Sequence, residues 1–370
     1  MTTMTSPSAL RPWLLAAGLL SATSAQAVDE NAGNKAPVKV VAPSTLSVSG
    51  PAGQGALRLY ASRDLQDPAA LADVERAVLV FHGRLRDANV YWASARKAAQ
   101  AAGAAATHSL LLVPQFLAER DVAAHALPAD TLRWSLEGWM GGEAATAPAA
   151  LSSFEAIDAL LALLADRQRF PKLTQVVVAG HSGGAQVVQR YAVVGQGEGR
   201  LPGVAVRYVV ANPSSYLYFT PDRPVAPDYK RFAPYSTAVC SGYDKYRYGM
   251  QDMVAYAKGA DGKTLYRRYM QRQVTYLVGS KDNDPNHRVL DKSCGAEAEG
   301  PSRLQRARAY WRYDSFLGAP DQTSTHRSFE VVGVGHDQSR MFGSQCGAQA
   351  VFGMAPAANA GGAACRAPQL

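Results

Sequence analysis

Short apolar runs recur along the chain, separated by stretches with helical spacing. The runs at 57–61, 77–81, 110–113, 176–179, 204–210, 274–278 and 328–332 are rich in Val, Leu, Ile-like and small residues. Apolar runs that continue without alternation, bounded by Gly, Pro or polar residues, mark strands buried on both faces. Helical patterns fill the gaps at 89–102, 151–165, after Gly184, in two stretches before 274, and at 302–316. The helix at 151–165 has Ser152 or Ser153 as its cap, with Glu155 in the first turn. This alternation predicts an α/β fold with a mostly parallel central sheet flanked by helices. No internal repeat is visible. Segments 115–150 and 212–270 are long for plain connections and read as functional insertions in one domain. Residues 28–55, rich in Pro, Gly, Ser, Asn and Lys, read as a flexible leader.

The most informative segment is 174–194, TQVVVAGHSGGAQVVQRYAVV. A run of β-branched residues stops at Gly180, His181-Ser182-Gly183-Gly184 follows, and then a helix pattern begins. G-x-S-x-G between a strand and a helix describes a sharp turn that exposes a serine hydroxyl above a sheet. Glycine is needed there because the backbone must approach its neighbours closely.

In an open parallel sheet, chemistry gathers beyond the carboxyl ends of the strands. Ser182, the loop His82-Gly83-Arg84, the pair Asp282 and Asp284, and His336 all fall there. A serine needs a base within hydrogen-bond reach. Among seven histidines, His336 follows the last strand in a glycine-rich loop and is the preferred base. Asp282 is the preferred partner acid; Asp284 is the alternative, and Asp222 or Asp228 remain open. Backbone N–H groups of Gly183 and Arg84 are the expected oxyanion hole. His82 and His181 read as structural. Trp92, Trp134, Trp139 and Tyr216 fall in regions bordering the site and could line a substrate pocket. Asp282-Asn283-Asp284-Pro285-Asn286 begins like a calcium loop, but His287 stands where glycine is needed and Ser293 replaces the closing glutamate, so neither metal nor cofactor is expected.

Residues 1–27 carry one arginine, an apolar stretch and Ala25-Gln26-Ala27, the layout of a signal peptide removed on export. A secreted or periplasmic protein is therefore expected. In an oxidising compartment the four cysteines favour two disulfides. Cys240 and Cys294 each follow a strand at the same sheet end and are paired, which leaves Cys346 with Cys365. The main domain is then bounded at 56–345, with 346–370 a tethered tail. The net charge of +8 includes arginine groups at 267, 268, 272 and at 303, 306, 308, 312. Their helical intervals read as solvated helix faces. No nucleic-acid-binding signature appears. No segment is long enough to span a bilayer. A monomer is expected.

By the HG loop, GHSGG, GSKDND and VGHD, residues 57–345 resemble the α/β-hydrolase superfamily. More narrowly, AGHSGG, ANPSSYLY and DNDPNHRVLDKSCGA are similar to motifs of secreted esterases of the polyhydroxyalkanoate-depolymerase-like group. The resemblance implies a serine hydrolase cleaving small or polymeric carboxylic esters through a Ser-His-Asp triad. Amide cleavage, acyl transfer, or a non-catalytic binding protein on the same scaffold are the alternatives.

Overall fold

The apolar runs assemble into one nine-stranded sheet. In chain order the strands are β1 (Ser44–Gly50), β2 (Gly53–Ala61), β3 (Arg76–Phe81), β4 (Ser109–Gln115), β5 (Gln175–His181), β6 (Ala205–Ala211), β7 (Gln273–Gly279), β8 (Arg327–Val331) and β9 (Cys365–Arg366). Their spatial order is β1-β2-β4-β3-β5-β6-β7-β8-β9. The six strands from β4 to β8 are parallel, while β1, β2 and β9 run antiparallel to their neighbours at the edges. This computed structural model describes residues 1–2, 32–318, 324–353 and 364–370. Apart from its first two residues, the expected export signal at 1–27 lies outside them.

Side chains alternate across the sheet and meet helices on both faces. In β5, Val176 and Val178 join a core with α2 (Ser153–Leu164), α3 (Gly183–Val194), α4 (Gly262–Gln271) and α5 (Arg303–Leu317). Val177 and Ala179 join a second core with α1 (Ala88–Ala102) and α6 (Gln345–Phe352). Burial on both sides is why these strands read as uninterrupted apolar runs. At the start of α2, Ser152 is the cap. Its hydroxyl accepts from the Phe154 N–H at 3.1 Å, and the Glu155 carboxylate accepts from the Ser152 N–H at 2.7 Å.

Several expectations need correction. The leader at 28–55 is not flexible over its second half: β1 pairs with β2 along its whole length, from Ser44 opposite Leu59 to Gly50 opposite Gly53. Its STLSVSG sequence buries only Val48 deeply, so an edge strand passes for a linker. The chain ahead of it is held by side chains. The Val38 N–H donates to Asp121 Oδ1 and the Ala42 N–H to Gln115 Oε1. Arg86 and Asp121, both fully buried, form an ion pair at 2.7 Å, and Arg86 also donates to Asn34 and Ala36. Of the two helical stretches expected before 274, only α4 is a regular helix; the other is a single turn at Ala255–Ala257. The tail at 346–370 begins inside α6 and returns as β9, with Cys346 joined to Cys365. Cys240 is joined to Cys294.

Of these arginines only Arg267 is exposed, so most do not form a solvated face. Arg272, Arg303 and Arg306 are buried. Arg272 donates to the Ala192 and Gly195 carbonyls at 2.7 and 2.8 Å, where α3 has run out of N–H partners. Arg306 donates to the Gly300, Ser214 and Asp291 carbonyls. Guanidinium groups here satisfy loop and helix-end carbonyls.

Breaking one side of a fully buried ion pair costs about 3–5 kcal/mol. Arg86→Gln is expected to lower the midpoint of thermal unfolding, followed by circular dichroism, by several degrees. An unchanged midpoint would show that the pair with Asp121 does not hold the N-terminal segment.

Candidate active site

The turn between β5 and α3 is set by what glycine leaves out. A Cβ on Gly180 would collide with the Gly184 carbonyl, and one on Gly184 with the carbonyls of Phe81 and His82. With both positions bare, the chain folds back on itself at Ser182, which takes φ 58° and ψ −122°. A non-glycine residue held there is strained, and the surrounding packing must over-determine it. Gly183 sits against the loop after β3: a Cβ there would lie 2.9 Å from the Arg84 backbone nitrogen. The two expected oxyanion donors are thus neighbours.

His336 reaches Ser182 from the loop after β8. Its Nε2 is 3.0 Å from Ser182 Oγ, and its Nδ1 is 2.8 Å from Asp282 Oδ2. Nδ1–H donates to the carboxylate, which leaves the Nε2 lone pair to accept from the serine hydroxyl. The structure puts Asp282 at this position, and not the alternatives. Asp284 is exposed and accepts from the Asn286 N–H in its own turn; Asp222 accepts from Thr220, and Asp228 from the Lys230 N–H. Asn212, at the end of β6, ties these loops together. Its Nδ2 donates to the Gly335 carbonyl at 3.2 Å and to His181 Nε2 at 3.1 Å, and its Oδ1 accepts from the Gly279 N–H at 2.8 Å.

The electrostatics favour a neutral imidazole. Burial, helped by the charge of Arg303, pushes the pKa of His336 down to about 4, against the pull of Asp282. Burial alone would raise the Asp282 carboxyl, but its hydrogen bond with His336 and the charges of His336 and Arg303 hold it below the ordinary value. Arg303 is fully buried and donates to the other carboxylate oxygen, Oδ1, at 3.3 Å, to Ser214 Oγ at 2.9 Å and to the Val289 carbonyl at 2.6 Å. His82 is also pushed down to about 4 by burial. It donates from Nδ1 to the Gly83 carbonyl and accepts the Phe116 N–H at Nε2, pinning the loop that carries Arg84. His181 is held well below its usual range, first by burial and then by His336 and Arg303.

A cavity of about 360 Å³ opens beside Ser182. The four aromatics expected to line it do not. Trp139 is buried in the core, stacked on Phe116 and tilted against His82; Trp134 packs edge-on to Phe116. Tyr216 stacks on Tyr310, and Trp92 stacks on Tyr60 away from the site. Their apolar area is spent on packing, and the wall is instead Met140, Gln186, Arg190, Ser214, Arg247, Tyr248 and 288–293. Sequence reasoning missed Asn212, Arg303 and Arg190. Arg303 was hidden by its place in an arginine-rich helix. Arg190 did carry a signal: it follows Ser182 and Gln186 at intervals of four, one face of α3. A larger cleft, about 770 Å³, is lined by residues of β1, α2 and Tyr256 and shares none with this site. Among the described residues no group of His, Cys, Asp and Glu is placed to hold a metal ion.

No protein-family model matches the chain, and no curated protein matches it. Solved structures do. A poly(3-hydroxybutyrate) depolymerase from Bordetella parapertussis is 21% identical with a TM-score of 0.58, over 86% of this chain and 93% of that one. Poly(aspartic acid) hydrolase-1 from Sphingomonas sp. KT-1 is 19% identical with a TM-score of 0.56, over 84% of this chain and 98% of that one. A parallel sheet of this strand order, with a strained serine at the end of a central strand and neighbours of this kind, gives the chain the α/β-hydrolase fold.

Proposed function

We propose that the chain is a serine hydrolase that cleaves carboxylic esters through an acyl-enzyme. The observation that carries this reading is the unbroken series Ser182 Oγ, His336, Asp282, at 3.0 and 2.8 Å. In the proposed reaction His336 takes the Ser182 proton as the oxygen attacks the ester carbonyl. The Gly183 and Arg84 N–H groups receive the oxyanion, and His336 returns the proton to the departing alcohol. Water, activated by the same nitrogen, then releases the acid and frees Ser182. Asp282 keeps the imidazole in the required tautomer and stabilises the imidazolium without taking the proton. An amide substrate would use the same groups. The likeness in fold to a poly(aspartic acid) hydrolase is the reason to assay an amide beside the ester. Two disulfides suit an oxidising compartment, which supports the reading of an exported enzyme. No helix among the described residues is long and apolar enough to cross a membrane.

Removal of the nucleophile should be close to total. Ser182→Ala is expected to lower kcat on 4-nitrophenyl butyrate by at least about 10⁴-fold and to abolish labelling by a fluorophosphonate, while Asp282→Asn costs roughly 10³–10⁴-fold. Equal activity of wild type and Ser182→Ala would reject the assignment.

The pH profile follows from the sign of the His336 shift. The base works unprotonated, so kcat/KM falls as pH drops through its folded pKa. The acid limb is expected near pH 4, well below an ordinary histidine at about 6.5. A limb at the ordinary value would show that Arg303 and burial do not act on the imidazole as described. Melting curves in the same buffers are the control. His82, His181 and His336 have folded pKa values below their unfolded ones. They cost the fold nothing above about pH 6.5 and withdraw stability as pH falls from there.

A further inference from the structure

We infer that the cavity beside Ser182 takes an ester whose acyl part carries a carboxylate, and that Arg190 is the residue that receives it. This rests on the ester-hydrolase reading and adds the substrate class.

The charged residues lining the cavity are Arg84, Arg190, Arg247, Arg288 and Lys292 against Glu137 and Asp291. Local pairs account for only part of this. Arg84 bonds Glu137 at 2.5 Å, and Arg247 bonds Glu143 at 2.6 Å. The Asp291 carboxylate accepts from the Tyr248 hydroxyl and the Ser293 N–H, both at 2.9 Å, and no guanidinium among the described residues bonds it. Arg190 is 1% exposed and has no carboxylate bonded to it among the described residues. Its three hydrogen bonds go to neutral oxygens: the Met140 carbonyl at 3.0 Å, Ser215 Oγ at 3.1 Å and the Arg247 carbonyl at 3.3 Å.

A guanidinium carries five N–H donors and stays charged. Three are used here, one on each nitrogen, so Nη1 and Nη2 each keep one N–H without a protein acceptor among the described residues. The charge of Asp291 favours the cation without bonding it, and a buried cation that no carboxylate bonds is costly unless something completes it. A planar guanidinium with one N–H left on each terminal nitrogen can offer them to the two oxygens of a carboxylate.

The guanidinium also stands in the right place. Ser182, Gln186 and Arg190 follow one another at intervals of four on the same face of α3, and all three line the cavity. Helical side chains lean toward the N-terminus, which is the serine end. Met140 links the two ends of this line: its carbonyl accepts from Arg190, and its Sδ would be 2.8 Å from a Cβ on Gly183. Arg288 and Lys292, exposed at the mouth and without a carboxylate partner among the described residues, would draw an anion in. A neutral acyl chain would leave all of these charges unanswered.

The test compares monomethyl glutarate with methyl pentanoate, an ester of similar length without the carboxylate, following methanol release. Wild type is expected to favour the glutarate ester by at least about tenfold in kcat/KM, with the ratio falling as salt rises. Arg190→Gln should reduce that ratio about tenfold. The exposed double substitution Arg288→Gln/Lys292→Gln should reduce it about threefold, and remains informative if Arg190→Gln fails to fold. A wild-type ratio of one or less, or a ratio untouched by a folded Arg190→Gln or, where that variant does not fold, by the double substitution, overturns the inference while leaving ester hydrolysis intact. Calorimetric binding to Ser182→Ala is the arm that does not need turnover. If neither ester is cleaved, the hydrolase reading fails. The carboxylate site is then upheld by salt-sensitive uptake of monomethyl glutarate over methyl pentanoate, and overturned by equal uptake of both.

Discussion

Close backbone contact at one turn governs the rest of the molecule. Gly184 lies against the Phe81 and His82 carbonyls, and Gly180 against Gly184 itself, with no room for a methyl group at either place. That contact forces the chain through Ser182 in a conformation it would not otherwise choose. The same contact brings the start of α3 beside the loop after β3, so that Gly183 and the Arg84 nitrogen become neighbours. It also aims α3 along the cavity, which places Gln186 and Arg190 in line behind the serine. Strain at one residue is therefore tied to the positions of the nucleophile, the two expected oxyanion donors and Arg190.

The second governing feature is the balance of buried charge. Asp282 is shared: one oxygen faces His336 and the other faces Arg303. Arg303 makes the imidazolium less favourable, while Asp282 favours it, and burial tips the outcome toward the neutral ring. A weaker base that is fully unprotonated at neutral pH is one workable compromise between proton affinity and availability. The same arginine holds Ser214 and the Val289 carbonyl, so it also fixes one wall of the cavity. Histidines 82 and 181 serve as neutral hydrogen-bonding spacers, each with a tautomer set by a backbone or amide partner.

Much of this was legible in the chain. Strands β3 to β7 show as apolar runs because both faces are covered, and burial on two sides leaves no polar position to blur the signal. The elbow shows because its glycines are sterically compelled. The order of Ser182, Asp282 and His336 shows because each follows a strand, and parallel strands all end on one side. Edge strand β1 did not show, since it buries little beyond Val48 and its polar residues look like linker. The buried arginines did not show either. Nothing local distinguishes Arg303 or Arg306, deep among loop carbonyls, from Arg312 on the same helix, which is only half-buried.

What the sequence determined by itself is therefore periodic or sterically local: which segments are strands, where the turn must be tight, and which serine it exposes. What only the tertiary structure decided is which distant groups share a volume. It set Asp282 rather than Asp284 against the imidazole, turned Trp134, Trp139 and Tyr216 into core, and lined the cavity with cations. The physical reason is that strand and helix periodicity, and the glycines of a tight turn, leave their record in residues adjacent in the chain. The pairing of a buried charge depends instead on residues tens or hundreds of positions away, and no local pattern records them.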